Sequence, residues 1–221
     1  MSIILNIDTS TETALVCLSE NGIVIADMVN THQKDHASFL HVAILELLKK
    51  QGIDLKSLSA IAVTEGPGSY TGLRVGLSTA KGLCYALDKP LILISSLEVI
   101  ANDAKNKYNE PNLLFCPMID ARRMEVFTGL YDHHLRILVK PSAKILDKDF
   151  LSNYLNDEKI VFSGNGSMKF QAIMGNKNAI FFETNNLSFS MSQISTDRFN
   201  SNVFSNLAHS DPQYLKEFVK I

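Results

Sequence analysis

The sequence predicts an α/β protein of two lobes, each a mixed sheet with flanking helices, and three observations carry that reading. The element order opens βββαβαβα, in which a meander followed by crossover helices builds one mixed sheet. A strand-hairpin pattern then starts again beyond the polar turn Asn109-Glu110-Pro111. Between them, the apolar strand Ala60-Ile61-Ala62-Val63 runs into Glu65-Gly66-Pro67-Gly68-Ser69-Tyr70-Thr71-Gly72-Leu73-Arg74-Val75-Gly76, a glycine-rich turn that opens straight onto a helix. Glycines let backbone approach a neighbour with no Cβ in the way, and the first helical turn leaves N–H groups free for an anion or a partner. The turn is not a Walker A loop, because no Gly-Lys-Ser/Thr follows and Arg74 sits too far into the helix.

Taken in order, Ile3 to Asp8 reads as the first strand, Thr9-Ser10-Thr11-Glu12 as a polar turn, and Thr13 to Ser19 as the second strand. Asn21-Gly22 is a hairpin signal, and Ile23 to Val29 closes the meander. Asp35 is placed to cap a helix running to Gln51, with Gly52 as its stop. Phe39, Ala43, Leu47 and Lys50 lie along one face of it, with Leu40, Ile44 and Leu48 beside them. In the helix over 72–87, Leu73, Leu77, Ala80, Leu83, Cys84 and Leu87 form a core stripe. Val75, Thr79, Gly82 and Ala86 form a second stripe of small side chains, to be covered either by another subunit or by the same chain. A strand at Leu91-Ile92-Leu93-Ile94 and a helix capped by Ser95 or Ser96, with Glu98 in its first turn, complete the first lobe.

The second lobe starts with Leu113 to Ile119, a turn at Asp120-Ala121-Arg122, and Met124 to Tyr131. A helix around Lys148 to Asn156, a strand Ile160 to Phe162, the turn Ser163-Gly164-Asn165-Gly166 and a polar helical stretch around Ser188 to Ala208 follow. The expected division is 1–105 for the N-terminal lobe, carrying the glycine turn and the dimerisation helices, and 106–221 for a smaller lobe whose last helix returns to the first.

With 221 residues, 46% of them hydrophobic, the chain has ample material for a packed core. The formal net charge of -2, with both signs interspersed, lacks the basic surface that independent RNA binding needs, so another protein would grip any RNA involved. Cys17, Cys84 and Cys116 stand singly in apolar runs, which reads as buried thiols in a reducing compartment and not as a zinc site or a disulfide. Met1-Ser2-Ile3-Ile4-Leu5-Asn6-Ile7-Asp8 lacks the basic start and long apolar stretch of a secretion signal, and no apolar run nears the roughly 20 residues of a membrane span. A cytoplasmic protein is expected.

Asp8 ends a buried strand and is followed by three hydroxyl residues. A carboxylate there suits a hydrated magnesium ion, with Thr9, Ser10, Thr11 and backbone N–H groups meeting phosphate oxygens. The same residues also suit a plain turn, since Asp and Thr bond readily to nearby backbone, and residue chemistry alone favours the turn. His32 and His36 are four apart but the helix starts only after His32, and His36 and His41 point about 140° away from each other at helical periodicity. His133 and His134, adjacent in an expected strand, face opposite ways. All five are expected to be exposed. No Gly-x-Ser-x-Gly elbow exists, and Ser69 has no histidine partner visible in the sequence.

Asp8-Thr9-Ser10-Thr11-Glu12, Gly66-Pro67-Gly68-Ser69-Tyr70-Thr71-Gly72-Leu73-Arg74-Val75-Gly76 and Ile119-Asp120-Ala121-Arg122 together resemble the TsaB (YeaZ) family. Asp211-Pro212-Gln213-Tyr214-Leu215-Lys216 is similar to that family's closing Pro-x-Tyr-Leu-Arg segment, with Lys for Arg. Arg123-Met124 stands where the family usually has Met-Gly. The likeness spans the chain and is weakest over 140–210.

The resemblance implies the two-lobed superfold of actin, heat-shock chaperone ATPases and sugar kinases, each lobe built on a ribonuclease H-like sheet. It also implies a role in placing the threonylcarbamoyl group on N6 of adenosine 37 in tRNAs that read codons beginning with A. In that system the paralogue TsaD performs the transfer, the TsaB subunit is its dimer partner and activator, and the ATPase TsaE joins them. TsaD has a His-x-x-x-His metal motif where this chain has Ser96 and Ile100, so no catalytic residue and no metal are expected here.

The expected site residues are a phosphate-facing remnant, Asp8, Thr9, Ser10, Thr11, Gly66 and Gly68, and a partner surface, Phe39, Leu40, Val75, Thr79, Gly82 and Ala86. No cofactor is expected for the subunit alone, with ATP or ADP placed at the interface with TsaD. Without its partner the chain is expected to form a homodimer through the same helices; tRNA is reached through the complex, and no membrane is involved. The competing reading is an autonomous ATP-dependent kinase or ATPase, with Asp8 organising magnesium. A peptidase, an older label for this fold, finds no nucleophile-base pair in the sequence.

Overall fold

The computed structural model describes residues 2–32 and 35–216. Its described residues form two compact units, one made of those up to Ser96 together with Ser188–Gln213, the other of Leu97–Leu187 with residues 214–216. The elements run β1 (Ile3–Asp8), β2 (Ala14–Glu20), β3 (Ile23–Asn30), α1 (His36–Gln51), β4 (Ala60–Gly66), α2 (Tyr70–Leu87), β5 (Leu91–Ser95) and α3 (Ser96–Tyr108). They continue with β6 (Leu113–Asp120), β7 (Glu125–Tyr131), β8 (Ile137–Ile145), α4 (Ser152–Leu155), β9 (Lys159–Ser163), α5 (Ser167–Gln171), β10 (Ala179–Phe182) and α6 (Leu187–Asn200).

In the first unit the strand order is β3-β2-β1-β4-β5. The first three strands form the antiparallel meander, and β4 and β5 run parallel to β1. Alternation sends Leu5 and Ile7, Val16 and Leu18, and Ile61 and Val63 into one core with Leu40, Ile44 and Leu47 of α1 and Leu77, Ala80 and Cys84 of α2. Each such Leu or Ile contributes about 1.5–3 kcal/mol by leaving water. The left-handed Gly52, φ +66°, ends α1 by donating its N–H to the Leu48 and Lys49 carbonyls.

Asn6, Cys17 and Ser19 lie on the other face of this sheet, where α6 packs. The Cys17 sulfur lies 3.7 Å from both the Ser188 carbonyl oxygen and the Ser192 hydroxyl. Ser188 donates to Asp27 Oδ2 at 2.6 Å, and Asn6 Nδ2 to Ser19 Oγ at 3.1 Å. The polar α6 is therefore a buried helix, with Ser190, Ser192 and Ser195 fully enclosed, because the sheet face beneath it is itself polar and offers partners.

The second unit repeats the plan: its sheet, ordered β10-β9-β6-β7-β8, has β6-β7-β8 antiparallel and β9 and β10 parallel to β6. Phe115, Val161, Leu113 and Ile119 meet Leu97, Ile100 and Ala104 of α3 in one core. Cys116, Met118, Phe162 and Phe170 build another on the opposite face.

Several expectations shift. The chain passes between units at Ser96/Leu97, so α3 belongs to the second; the polar turn near 109–111 lies inside it. Neither β8 nor β10 is anticipated, since β8 is a mostly exposed edge strand interrupted by Pro141 and β10 has only four residues. The helix expected over 148–156 contracts to Ser152–Leu155. Asp35 precedes α1 without a side-chain capping bond, whereas Ser69 caps α2 by accepting from Gly72 N at 3.3 Å. His133 and His134 sit in the turn after β7 and not in a strand.

Candidate functional site

The glycine-rich corner forms where β1 ends and α2 begins. Asp8 is buried, and its Oδ1 accepts from Ser10 N at 2.9 Å and from the Thr64 hydroxyl at 2.8 Å. The Thr9 hydroxyl donates to the Gly72 carbonyl at 2.7 Å, and Ser69 N donates to the Ser10 carbonyl at 2.6 Å. A Cβ on Gly68 or Gly72 would strike the carbonyl oxygens of Ser10 and Thr9, and one on Gly76 would strike the Thr9 hydroxyl. Gly66, at φ +126°, has the Gln213 carbonyl 2.5 Å from where its Cβ would lie, and Gln213 N donates back to Glu65 O at 2.7 Å.

Asp8, Thr9, Ser10, Gly66 and Gly68 are thus brought together, with Thr11 one residue beyond, donating its hydroxyl to Thr13 O at 3.2 Å. The Thr9 hydroxyl, Ser10 N and Ser69 N donate within the chain, whereas the Ser10 hydroxyl is buried with no hydrogen-bond partner among the described residues; the atoms nearest Gly66, Gly68 and Gly72 are the carbonyl oxygens of Gln213, Ser10 and Thr9. Gly68 and Gly72 let α2 pack closely against the β1–β2 turn. The bond from Ser10 N to Asp8 matches the turn reading, whereas the Thr9 hydroxyl reaches the Gly72 carbonyl on α2 and not nearby backbone.

His36 corrects the expectation that all five histidines are exposed: it is buried at the start of α1, its Nε2 donating to the Thr11 carbonyl at 3.0 Å. His133 is half-buried against Phe115, whereas His32, His41 and His134 are exposed.

The outer faces of α1 and α2 form the second place of interest. Leu40 is fully buried in the first unit's core and offers nothing to a partner, which corrects its assignment to the partner surface. Phe39 and Val75 pack partly against that core, Thr79 is half-buried, and Gly82 and Ala86 are exposed. Three large residues missed by the sequence reading stand out: Tyr85 is 83% exposed, Leu45 66% and Val42 53%. The signal was available, since Val42 and Leu45 are three apart and off the buried stripe. Among the described residues, a Cβ on Gly82 would meet nothing within 4 Å.

Ser96 begins α3 as a buried residue whose hydroxyl has no hydrogen-bond partner among the described residues, and Ile100, one turn on, belongs to the second unit's core. Neither Ile100 nor its apolar neighbours supplies a metal ligand, and no group of three metal-ligating side chains occurs among the described residues. In the second unit, the loop after β9 echoes the glycine corner. Gly164 lies at φ +88°, and Gly166 N donates to Met118 O at 3.0 Å while the Asn165 side chain accepts from Asp120 N at 2.9 Å. All three cysteines are free and buried, and loss of hydration pushes each thiol up to about 12. They are inert at neutral pH.

Comparison with known proteins gives this geometry a lineage. A family model for TsaD, tRNA N6-adenosine threonylcarbamoyltransferase, matches residues 24–219. The chain is 36% identical over 164 residues to the tRNA threonylcarbamoyladenosine biosynthesis protein TsaB of Bacillus subtilis, covering 73% of this chain and 70% of that one. The chain belongs to the TsaB family.

The TsaB of Escherichia coli is 34% identical over 128 residues, 58% of this chain and 54% of that one, so this match spans about half of the relative. Among solved structures, a Pseudomonas aeruginosa protein described as similar to peptidase YeaZ superposes with a TM-score of 0.82 at 23% identity, covering 98% of this chain and all of that one. A polyphosphate/ATP-glucomannokinase from Arthrobacter follows with a TM-score of 0.53 at 10% identity, over 89% and 99% of the two chains. These likenesses establish the fold of the TsaB family member: two mixed sheets in the actin-like and sugar-kinase superfold. Among the described residues no helix is long and apolar enough to cross a membrane.

Proposed function

We propose that this chain is the non-catalytic subunit required for threonylcarbamoylation of adenosine 37 in tRNA, acting as dimer partner and activator of TsaD. The observation that carries the reading is the exposure of large apolar side chains on both helices, Val42 and Leu45 on α1 and Tyr85 on α2, the last accompanied on its helix by the exposed small residues Gly82 and Ala86. Small side chains let a second helix pair approach closely, and Tyr85 supplies the large, rigid contact that interfaces favour. Membership in the TsaB family and the match to the TsaD family model support TsaD as the partner. The hydrogen bonds that occupy Asp8 Oδ1 and the buried Ile100 on α3 favour docking over phosphoryl chemistry.

On this reading the subunit works in the cytoplasm, TsaE joins the pair, any nucleotide sits at the interface with TsaD, and the same helices form a homodimer when TsaD is absent. The test mixes the purified chain with its cognate TsaD, TsaE, threonylcarbamoyl-adenylate and tRNA, and measures modified adenosine. Modification only with both paralogues supports the proposal, and full activity of TsaD without this chain overturns it. Gly82→Arg adds its side chain to open space, so the fold survives while pairing and activity are lost; unchanged association would remove this face from the interface.

A further inference from the structure

The turn joining β6 to β7 holds a feature that docking through α1 and α2 leaves unused. Arg122 and Arg123 both lie in the left-handed backbone region, at φ +72° and +50°, where side chains other than Gly, Asn and Asp rarely settle. The turn is closed by Glu125 N donating to Arg122 O at 3.0 Å and Ala121 N to Glu125 O at 3.0 Å. Both arginines are exposed, and among the described residues neither guanidinium has a hydrogen bond or an ion pair.

The nearby carboxylates are committed elsewhere. Asp120 accepts from Lys169 Nζ at 2.9 Å and from the Arg122 backbone N–H at 2.6 Å, and Glu125 pairs with Lys216. Lys169 also donates to the carbonyls of Arg123 and Glu125, at 2.7 and 2.8 Å, fixing the turn from beneath. Two lysines thus neutralise the two acids and leave two uncompensated positive charges on a rigid tip. Backbone strain kept at an exposed site, where glycine would relieve it, points to a role for the side chains.

We propose that Arg122 and Arg123 contact the sugar-phosphate backbone of the RNA substrate. The guanidinium fork matches phosphate oxygens bidentately, and contacts of this kind position a nucleic acid without reading its sequence. Two arginines do not make an RNA-binding protein of a chain with net charge -2. They add a contact to an RNA held mainly by the partner. The inference therefore rests on the proposed function.

The test uses the assembled complex and an unmodified tRNA bearing adenosine 37, titrated at several salt concentrations. The double variant Arg122→Gly, Arg123→Gly removes the charges and relieves the backbone, so its melting temperature holds or rises and it still pairs with TsaD. The expected result is an affinity for tRNA lowered about tenfold, with the slope of log affinity against log salt reduced by about one to two. Arg122→Lys, Arg123→Lys retains most of that slope. Unchanged affinity and slope in the glycine variant, in a complex that modifies tRNA normally, overturns the arginine assignment alone. A wild-type complex whose modification does not depend on this chain overturns the functional reading and this inference with it.

Discussion

The backbone N–H of Ser69 donates to the carbonyl of Ser10 at 2.6 Å, tying the residue that caps α2 to the turn after β1. A helix N-terminus whose flanking N–H is already satisfied by its own chain has less to offer a ligand. The glycines around it carry fold stability.

That division of labour predicts opposite outcomes for two alanines in one helix. Gly72→Ala drives a Cβ into the Thr9 carbonyl and should cost about 2 kcal/mol or more. Gly82→Ala, facing open space on the same helix, should stabilise by about 0.5–1 kcal/mol, because Ala is the better helix former. Urea unfolding of the two variants decides it; equal effects would mean that the corner is looser than described.

The exposed face of α1 and α2 predicts self-association in the absence of a partner. Leu45→Glu places a charge on a side chain that is 66% exposed, so the monomer's unfolding midpoint should stay within about 0.5 kcal/mol of the parent. Sedimentation equilibrium should show the homodimer weakened at least tenfold. A dimer of unaltered strength would locate self-association on another surface.

Thiol burial has a sign that can be checked. Each cysteine is raised from 9.0 to about 12 by desolvation, so the folded state binds these protons more tightly than the unfolded one. Their contribution is complete below pH 9 and declines as pH rises from 9 towards 12. Stability should fall through that window with a slope that weakens when Cys84 is replaced by Ala. Iodoacetamide at pH 8 should label no cysteine in the native protein and all three in urea.

Asp132 has the reverse sign. Burial, the largest single influence, pushes its carboxyl up, but hydrogen bonds from the Arg136 backbone and guanidinium and from His134 N together hold it below its ordinary 3.8. Its contribution is present above the ordinary value and fades as pH falls through the lowered one. Because Arg136 is largely exposed, screening limits the ion pair to about 0.5 kcal/mol. Asp132→Asn should therefore flatten the acid limb of the stability curve, read by urea titration between pH 2 and 5.

Much of the fold was legible because its first half obeys strong local rules. Asn21-Gly22, Gly52 and the continuous apolar run at 60–63 announce a hairpin, a helix stop and a buried strand through residues that have few other uses. What stayed hidden depended on distant partners. Nothing local says that serine-rich α6 is buried, since its enclosure follows from Cys17 and Asp27 on strands more than 150 residues earlier. The candidate site divided in the same way: glycine spacing announced close approach, but only the structure supplies the identity of what approaches, the Thr9 and Ser10 carbonyls. Exposed Tyr85 and enclosed Leu40 differ in the neighbours they meet and not in apolar character.

The first unit is built from two stretches of chain far apart in sequence, the residues up to Ser96 and Ser188–Gln213. On the ribosome, its sheet therefore waits for α6 while Leu97–Leu187 is still being made, on the order of ten seconds at ordinary elongation rates. During that interval the face around Cys17 is bare in the nascent chain. A messenger truncated before codon 188 would yield a product missing the helix that roofs its oldest strands, and cellular quality control should clear it.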